Sequence, residues 1–200
     1  MTTDDTALAS LLGKIRGCAA CAALLPCPPR PIVQAGRGAR LLIIGQAPGR
    51  RVQETGVPWS DASGDRLRAW LQLAPEVFYD ARRVALVPMG FCYPGKGVSG
   101  DLPPRPECAP LWHPQLLPAM PDVCLTLLIG AYAQARYLGD AAAKAGLTAT
   151  VAGWRGHLAH ERFVLPHPSP RNQGWLKQNP WFEAEALPEL KARVAAALAD

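Results

Sequence analysis

Four short apolar runs, set far apart along the chain, constrain the fold more than any other feature. Leu41–Ile44 is uninterrupted Leu-Leu-Ile-Ile, the pattern of a strand buried on both faces. Further runs occupy residues 84–87, 123–129 and 163–165. Helical patterns fall between them at residues 65–73 and 131–138, and another at residues 6–16 precedes the first strand. Strands that alternate with helices demand a parallel sheet covered on both faces. The expected fold is α/β, a three-layer α/β/α sandwich around a short, four-stranded, mostly parallel sheet. Near the C-terminus, Asn179-Pro180 reads as a helix start. It opens an amphipathic run through Leu198 that Pro188 should kink or split. With no internal repeat or linker, the 200 residues form one expected domain, 1–200.

Composition excludes little but directs attention. No stretch reaches the roughly 18 consecutive apolar residues of a membrane helix. The start, Met1-Thr2-Thr3-Asp4-Asp5, is acidic and unlike a secretory leader, so a cytoplasmic, nucleoid-associated location is expected. The net charge of +5 and pI near 9.0 suit a polyanionic partner. Arg50, Arg51, Arg171 and Lys177 lie in or beside two unusual loops, and would form one basic rim if those loops converge.

The first of those loops is Leu165-Pro166-His167-Pro168-Ser169-Pro170-Arg171-Asn172. Its alternate prolines fix φ and remove donors, which makes a stiff loop that presents one imidazole after a strand. The second follows Leu41–Ile44 as Gly45-Gln46-Ala47-Pro48-Gly49, a turn whose glycines allow close backbone approach to a ligand. No Gly-Lys-Ser/Thr follows, so it is not a phosphate loop of the P-loop kind. Together, a Gly-x-Ala-Pro-Gly turn and a distant His-Pro-Ser loop resemble the uracil-DNA glycosylase superfamily over nearly the whole chain.

That resemblance implies roles. His167 would donate a hydrogen bond to uracil O2 as charge builds on the leaving base. The turn around Gly45, Gln46 and Ala47 would hold the uracil. Ser169, Pro170 and Arg171 would fill the gap left by an extruded nucleotide, and Lys177 would join the DNA contacts. The Ser-Pro-Arg-Asn wording is similar to the single-strand-selective monofunctional glycosylases. Trp59, in Trp59-Ser60-Asp61-Ala62-Ser63-Gly64-Asp65, stands where relatives stack an aromatic ring on the flipped base; the alternative is a core plug. The same segment looks like that of family five, in which an aspartate at this later position acts as the base. Asp61 would then orient water toward C1′, or else only cap the following helix; Glu54 and Asp65 are the reserve carboxylates. Pro88 departs from the family pattern, because it sits where an asparagine is expected to read the uracil edge.

Six cysteines complete the inventory. Cys18 and Cys21 form a CxxC, and Cys92 and Cys108 enclose fifteen residues rich in Pro and Gly. In a reducing compartment the pattern favours metal over disulfides. Its spacings are similar to the iron–sulfur glycosylases of family four, which implies a structural [4Fe–4S] cluster, with zinc or no metal as alternatives. Cys27 lacks such partners, and Cys124 is expected to be buried in a strand.

The expected function is therefore a monofunctional DNA glycosylase of base-excision repair, acting on uracil and other deaminated bases. A relative that binds damaged DNA without releasing the base is the alternative. DNA is the expected partner, with no membrane, no nucleotide cofactor and a monomeric state.

Overall fold

A computed structural model describes residues 3–98 and 100–199; Met1 and Thr2 of the acidic start lie outside them. The four apolar runs form the four strands, β1 (Leu41–Ile44), β2 (Val84–Leu86), β3 (Leu125–Ile129) and β4 (Arg162–Leu165). All pair in parallel in the order β2-β1-β3-β4. Every residue of β1 and β2 is buried, as uninterrupted apolar runs require in a sheet covered on both faces. The third strand begins at Leu125 rather than residue 123. Cys124 therefore falls just outside it and is half-buried, its thiol donating to the Arg40 and Ala197 carbonyls.

Helices cover the sheet as two groups. On one side α3 (Ala62–Leu71) packs against α10 (Leu187–Leu198), which also meets β1 and β3. The other group is α1 (Thr3–Arg16), α5 (Cys108–Leu116) and α6 (Ala131–Leu138). Shorter helices α2 (Arg50–Thr55), α4 (Pro75–Phe78) and α8 (Trp154–Leu158) fill connections, and α7 (Asp140–Ala152) is two helices joined at Gly146, whose φ is 79°. Phe78, Phe91, Phe163 and Phe182 are fully buried, each worth about 1.5–3 kcal/mol of apolar transfer.

The C-terminal run differs from expectation in an instructive way. Asn179 does not cap with its side chain. Its amide instead donates to the Trp175 carbonyl and accepts from the Trp181 indole, stitching α9 (Gln173–Gln178) to the next segment. Pro188 stands in the first turn of α10, preceded by a π-helical turn, Phe182–Ala186. The wider turn accommodates a residue that has no N–H to give.

Strand order decides where a ligand can sit. From β1 the chain crosses to β2 on one side and then to β3 on the other. The connections therefore diverge at the carboxyl ends of β1 and β3 and leave a crevice there. The Gly45 turn follows β1, Pro88 follows β2, Gly130 follows β3 and His167 follows β4.

Candidate functional site

The crevice is a cleft of about 490 Å³ at these strand ends. The glycine turn and the histidine loop, 122 positions apart at Gly45 and His167, both line it, so the two motifs do converge. Gly45, Gln46 and Ala47 form one wall together with Trp59. A Cβ at Gly45 would lie 2.7 Å from Cζ2 of Trp59; glycine is what lets the indole rest on the turn.

Trp59 occupies the left-handed region, φ 56°, which a bulky residue adopts only when its surroundings hold it there. Its carbonyl accepts from the Arg68 guanidinium at 3.1 Å, and Gly64 passes so close beneath that a Cβ there would sit 1.7 Å from the same oxygen. So clamped, the indole stacks on the His167 imidazole, centroids 5.7 Å apart and planes at 28°. Trp59 also packs on the core, so the residue that lines the cleft is a core plug as well.

His167 is fixed by three contacts. The Ser169 N–H donates to Nδ1 at 3.2 Å, the Asn172 amide donates to the His167 carbonyl at 2.7 Å, and Arg66 donates to the Ser169 carbonyl at 3.1 Å. Burial holds the imidazole pKa below its ordinary value, with the Asp61 carboxylate opposing only in part. The ring is therefore neutral near pH 7, and since Nδ1 accepts, its proton resides on Nε2. The result is a single oriented N–H donor at the cleft.

Asp61 caps a helix and also reaches the cleft. Its Oδ1 caps α3 by accepting from the Gly64 N–H at 3.0 Å, while the side chain also lines the cleft, with Oδ2 3.7 Å from the position of a Cβ on Gly49. The reserve carboxylates fare differently. Glu54 pairs with Arg50 on the surface, and Asp65 pairs with Arg68 at 2.5 Å; neither lines the cleft.

Pro88 lines the cleft as well, so the residue standing for the expected asparagine offers no side-chain donor. Its carbonyl is held by Nε2 of His113 at 3.0 Å, and Nδ1 of His113 meets the Tyr137 hydroxyl. His113 is buried, which pushes its pKa down to about 4. The sequence reading missed it, because a lone histidine inside an apolar helix carries no motif.

From the histidine loop Ser169, Arg171 and Asn172 line the cleft. Pro170 opens a short 3-10 turn, Pro170–Asn172, beside it, and Lys177 is exposed on α9, a helix the sequence did not announce. The long loop, residues 93–110, supplies the opposite wall through Pro94, Gly100, Asp101 and Leu102. Gly100, at φ 148°, leaves room for the Arg171 guanidinium, which a Cβ there would crowd.

Behind that loop lies a second, mostly apolar cavity lined by Cys18, Cys21, Cys92 and Cys108. The four are free thiols, and burial raises Cys92 to about 11 and Cys108 to about 12. Among the described residues no group of three or more potential ligands is drawn together at ligating geometry. Two buried donors, Nε of Arg105 and Nε1 of Trp112, belong to residues lining this cavity and have no hydrogen-bond partner among the described residues.

The sheet, the glycine turn and the histidine loop all fall within residues 33–191, the stretch matched by the family model described as the uracil DNA glycosylase superfamily. The chain belongs to the uracil DNA glycosylase superfamily. Membership of this DNA glycosylase family accounts for the loops that meet at one crevice, and for a basic chain with DNA as its substrate. Cys18 and Cys21 precede the matched stretch, whereas Cys92 and Cys108 lie inside it.

Proposed function

We propose that this superfamily member is a monofunctional glycosylase that extrudes deoxyuridine from DNA and hydrolyses its N-glycosidic bond. The observation that carries the reading is the fixed tautomer of His167. A neutral imidazole with its proton on Nε2 donates to an oxygen that gains negative charge as the bond breaks, which favours the transition state over the ground state. The extruded base packs in the cleft against Trp59, beside the Gly45 turn with Gln46 and Ala47. Asp61, tethered through Oδ1, orients a water with Oδ2 and takes its proton. Ser169, Pro170 and Arg171 occupy the gap in the duplex, and Lys177 meets a phosphate. Among the described residues no lysine lines the cleft, and the proposed reaction ends at base release.

We also propose that the four thiols lining one cavity hold a structural metal centre, with a [4Fe–4S] cluster ahead of zinc. Its donor set is right, and the two unpartnered N–H groups suit anionic sulfur. The centre would cross-link the N-terminal CxxC to the long loop without touching the reacting groups. Pro88 favours a second reading, a relative that binds the damaged base without releasing it. Single-turnover assays on oligonucleotides with one uracil separate the two. The first predicts an alkali-labile abasic product, and His167→Ala slows its formation by roughly 10²–10³-fold with DNA binding retained. Binding without abasic product overturns it in favour of the second.

A further inference from the structure

We propose that Asp101 is a second catalytic carboxylate, which grips the attacking water from the side opposite Asp61. The inference rests on the hydrolytic reading of the cleft and deepens it. Neither the glycine turn nor the histidine loop contains this residue. Asp101 belongs to the long loop, in a small hairpin closed by the Gly97 N–H on the Gly100 carbonyl at 2.6 Å and the Leu102 N–H on the Gly95 carbonyl at 2.8 Å.

Gly49 reveals the arrangement. A Cβ built there would lie 3.5 Å from Asp101 Oδ2 and 3.7 Å from Asp61 Oδ2. Both oxygens therefore face one small volume above the Gly45–Gly49 turn, and glycine is the residue that leaves this volume empty. Among the described residues nothing hydrogen-bonds the Asp101 carboxylate, whereas Asp61 has committed Oδ1 to the helix cap. A water has two hydrogens and needs two acceptors to fix its lone pair in one direction. One acceptor alone leaves it free to rotate about a single hydrogen bond.

The step balances with groups already in the cleft. The water oxygen bonds to C1′, and the C1′–N1 bond breaks with its electron pair leaving on uracil. Asp61 receives one proton of the water, and the other stays on the new sugar hydroxyl, hydrogen-bonded to Asp101. The sugar becomes cationic as the bond stretches, and two carboxylates on its water-side face stabilise that charge, as paired carboxylates do in glycoside hydrolysis. The uracil anion, held by His167, is reprotonated from solvent.

The test compares full-length wild type, Asp101→Ala, Asp101→Asn, Asp61→Asn and the Asp61→Asn/Asp101→Ala double variant. Each is assayed by single turnover and by equilibrium binding on the same uracil oligonucleotide. Asp101→Ala should lower the single-turnover rate by roughly 10²-fold, within the range of a positioned acid–base group, with the dissociation constant and thermal midpoint unchanged. Asp101→Asn, which keeps an acceptor but loses the charge, should recover part of the rate. The double variant should lose much less than the product of the single losses, because both groups serve one water. Gly49→Ala gives an independent check. Its backbone, φ −76°, accepts a methyl, which would occupy the water position and slow the reaction while the fold survives. An Asp101→Ala protein that cleaves at the wild-type rate, or that loses only affinity, overturns the inference. Wild type that releases no uracil overturns the hydrolytic reading beneath it.

Discussion

His113 makes stability fall on the acid side in a way that can be calculated and subtracted. The residue is buried between the Pro88 carbonyl and the Tyr137 hydroxyl. Desolvation, reinforced by the Arg136 charge, brings its pKa from 6.5 to about 4. A folded pKa below the unfolded value means that the unfolded chain takes up the proton first as pH falls. The contribution of His113 is therefore complete above about 6.5, declines between 6.5 and about 4, and is lost in full below that. The gap between 6.5 and about 4, at about 1.4 kcal/mol per pKa unit, sets an upper figure of about 3–4 kcal/mol. Urea unfolding followed by tryptophan fluorescence, from pH 7.5 to pH 4.5, gives the curve for wild type and for His113→Gln. Glutamine can still donate to Pro88 but does not titrate. The variant should start about 1–2 kcal/mol less stable at pH 7.5, from lost packing and the hydroxyl contact, and should then lose less on acidification. The two curves should converge toward pH 4.5. His157 and His167, also shifted down by burial, act in both proteins and cancel in the difference. Parallel curves would refute the reasoning and place His113 in contact with water.

Asp61→Asn should reduce single-turnover cleavage by roughly 10²–10⁴-fold with a small change in melting temperature, since asparagine also caps a helix; early melting with a fully active folded fraction would leave Asp61 as a cap alone. Freshly purified protein should be brown, with broad absorbance at roughly 400 nm from a thiolate-held cluster, and Cys108→Ser should bleach it and lower stability. Colourless protein with about one zinc per chain would change the metal, and metal-free protein of full stability would remove it.

The sheet was legible because Leu41–Ile44 and its three companions are apolar beyond what a half-exposed strand needs. The order of the strands was not legible, and the meeting of Gly45 with His167 was expected only from the pairing of their two loop motifs. The helices at residues 140–158 were not legible, since Ala-rich sequence with Gly146, Gly153 and Gly156 has weak periodicity. They exist because their inner residues pack on β4, a tertiary contact with no local signature. The same limit hid His113 and Asp101. Neither sits in a motif, and each acquires a neighbour in the cleft only through contacts made far along the chain. Asp61 was readable as cap or base because both use one carboxylate; which oxygen does what is a matter of three-dimensional position.

The long loop binds these observations into one device. Cys92 and Cys108 stand near its two ends, and Asp101, which lines the cleft, lies between them. Under the proposed reading, a centre holding both cysteines to Cys18 and Cys21 would close the loop at its base and shorten the span that can fluctuate. Closure of a shorter loop costs less entropy, but the gain grows only slowly with length. The larger benefit is positional, because a catalytic carboxylate displaced by about 1 Å can cost roughly a hundredfold in rate. The thiols then serve the chemistry without touching it. Loss of the centre should slow the reaction through Asp101 and spare His167, whose loop hangs from β4 and is held by Arg66 and Asn172.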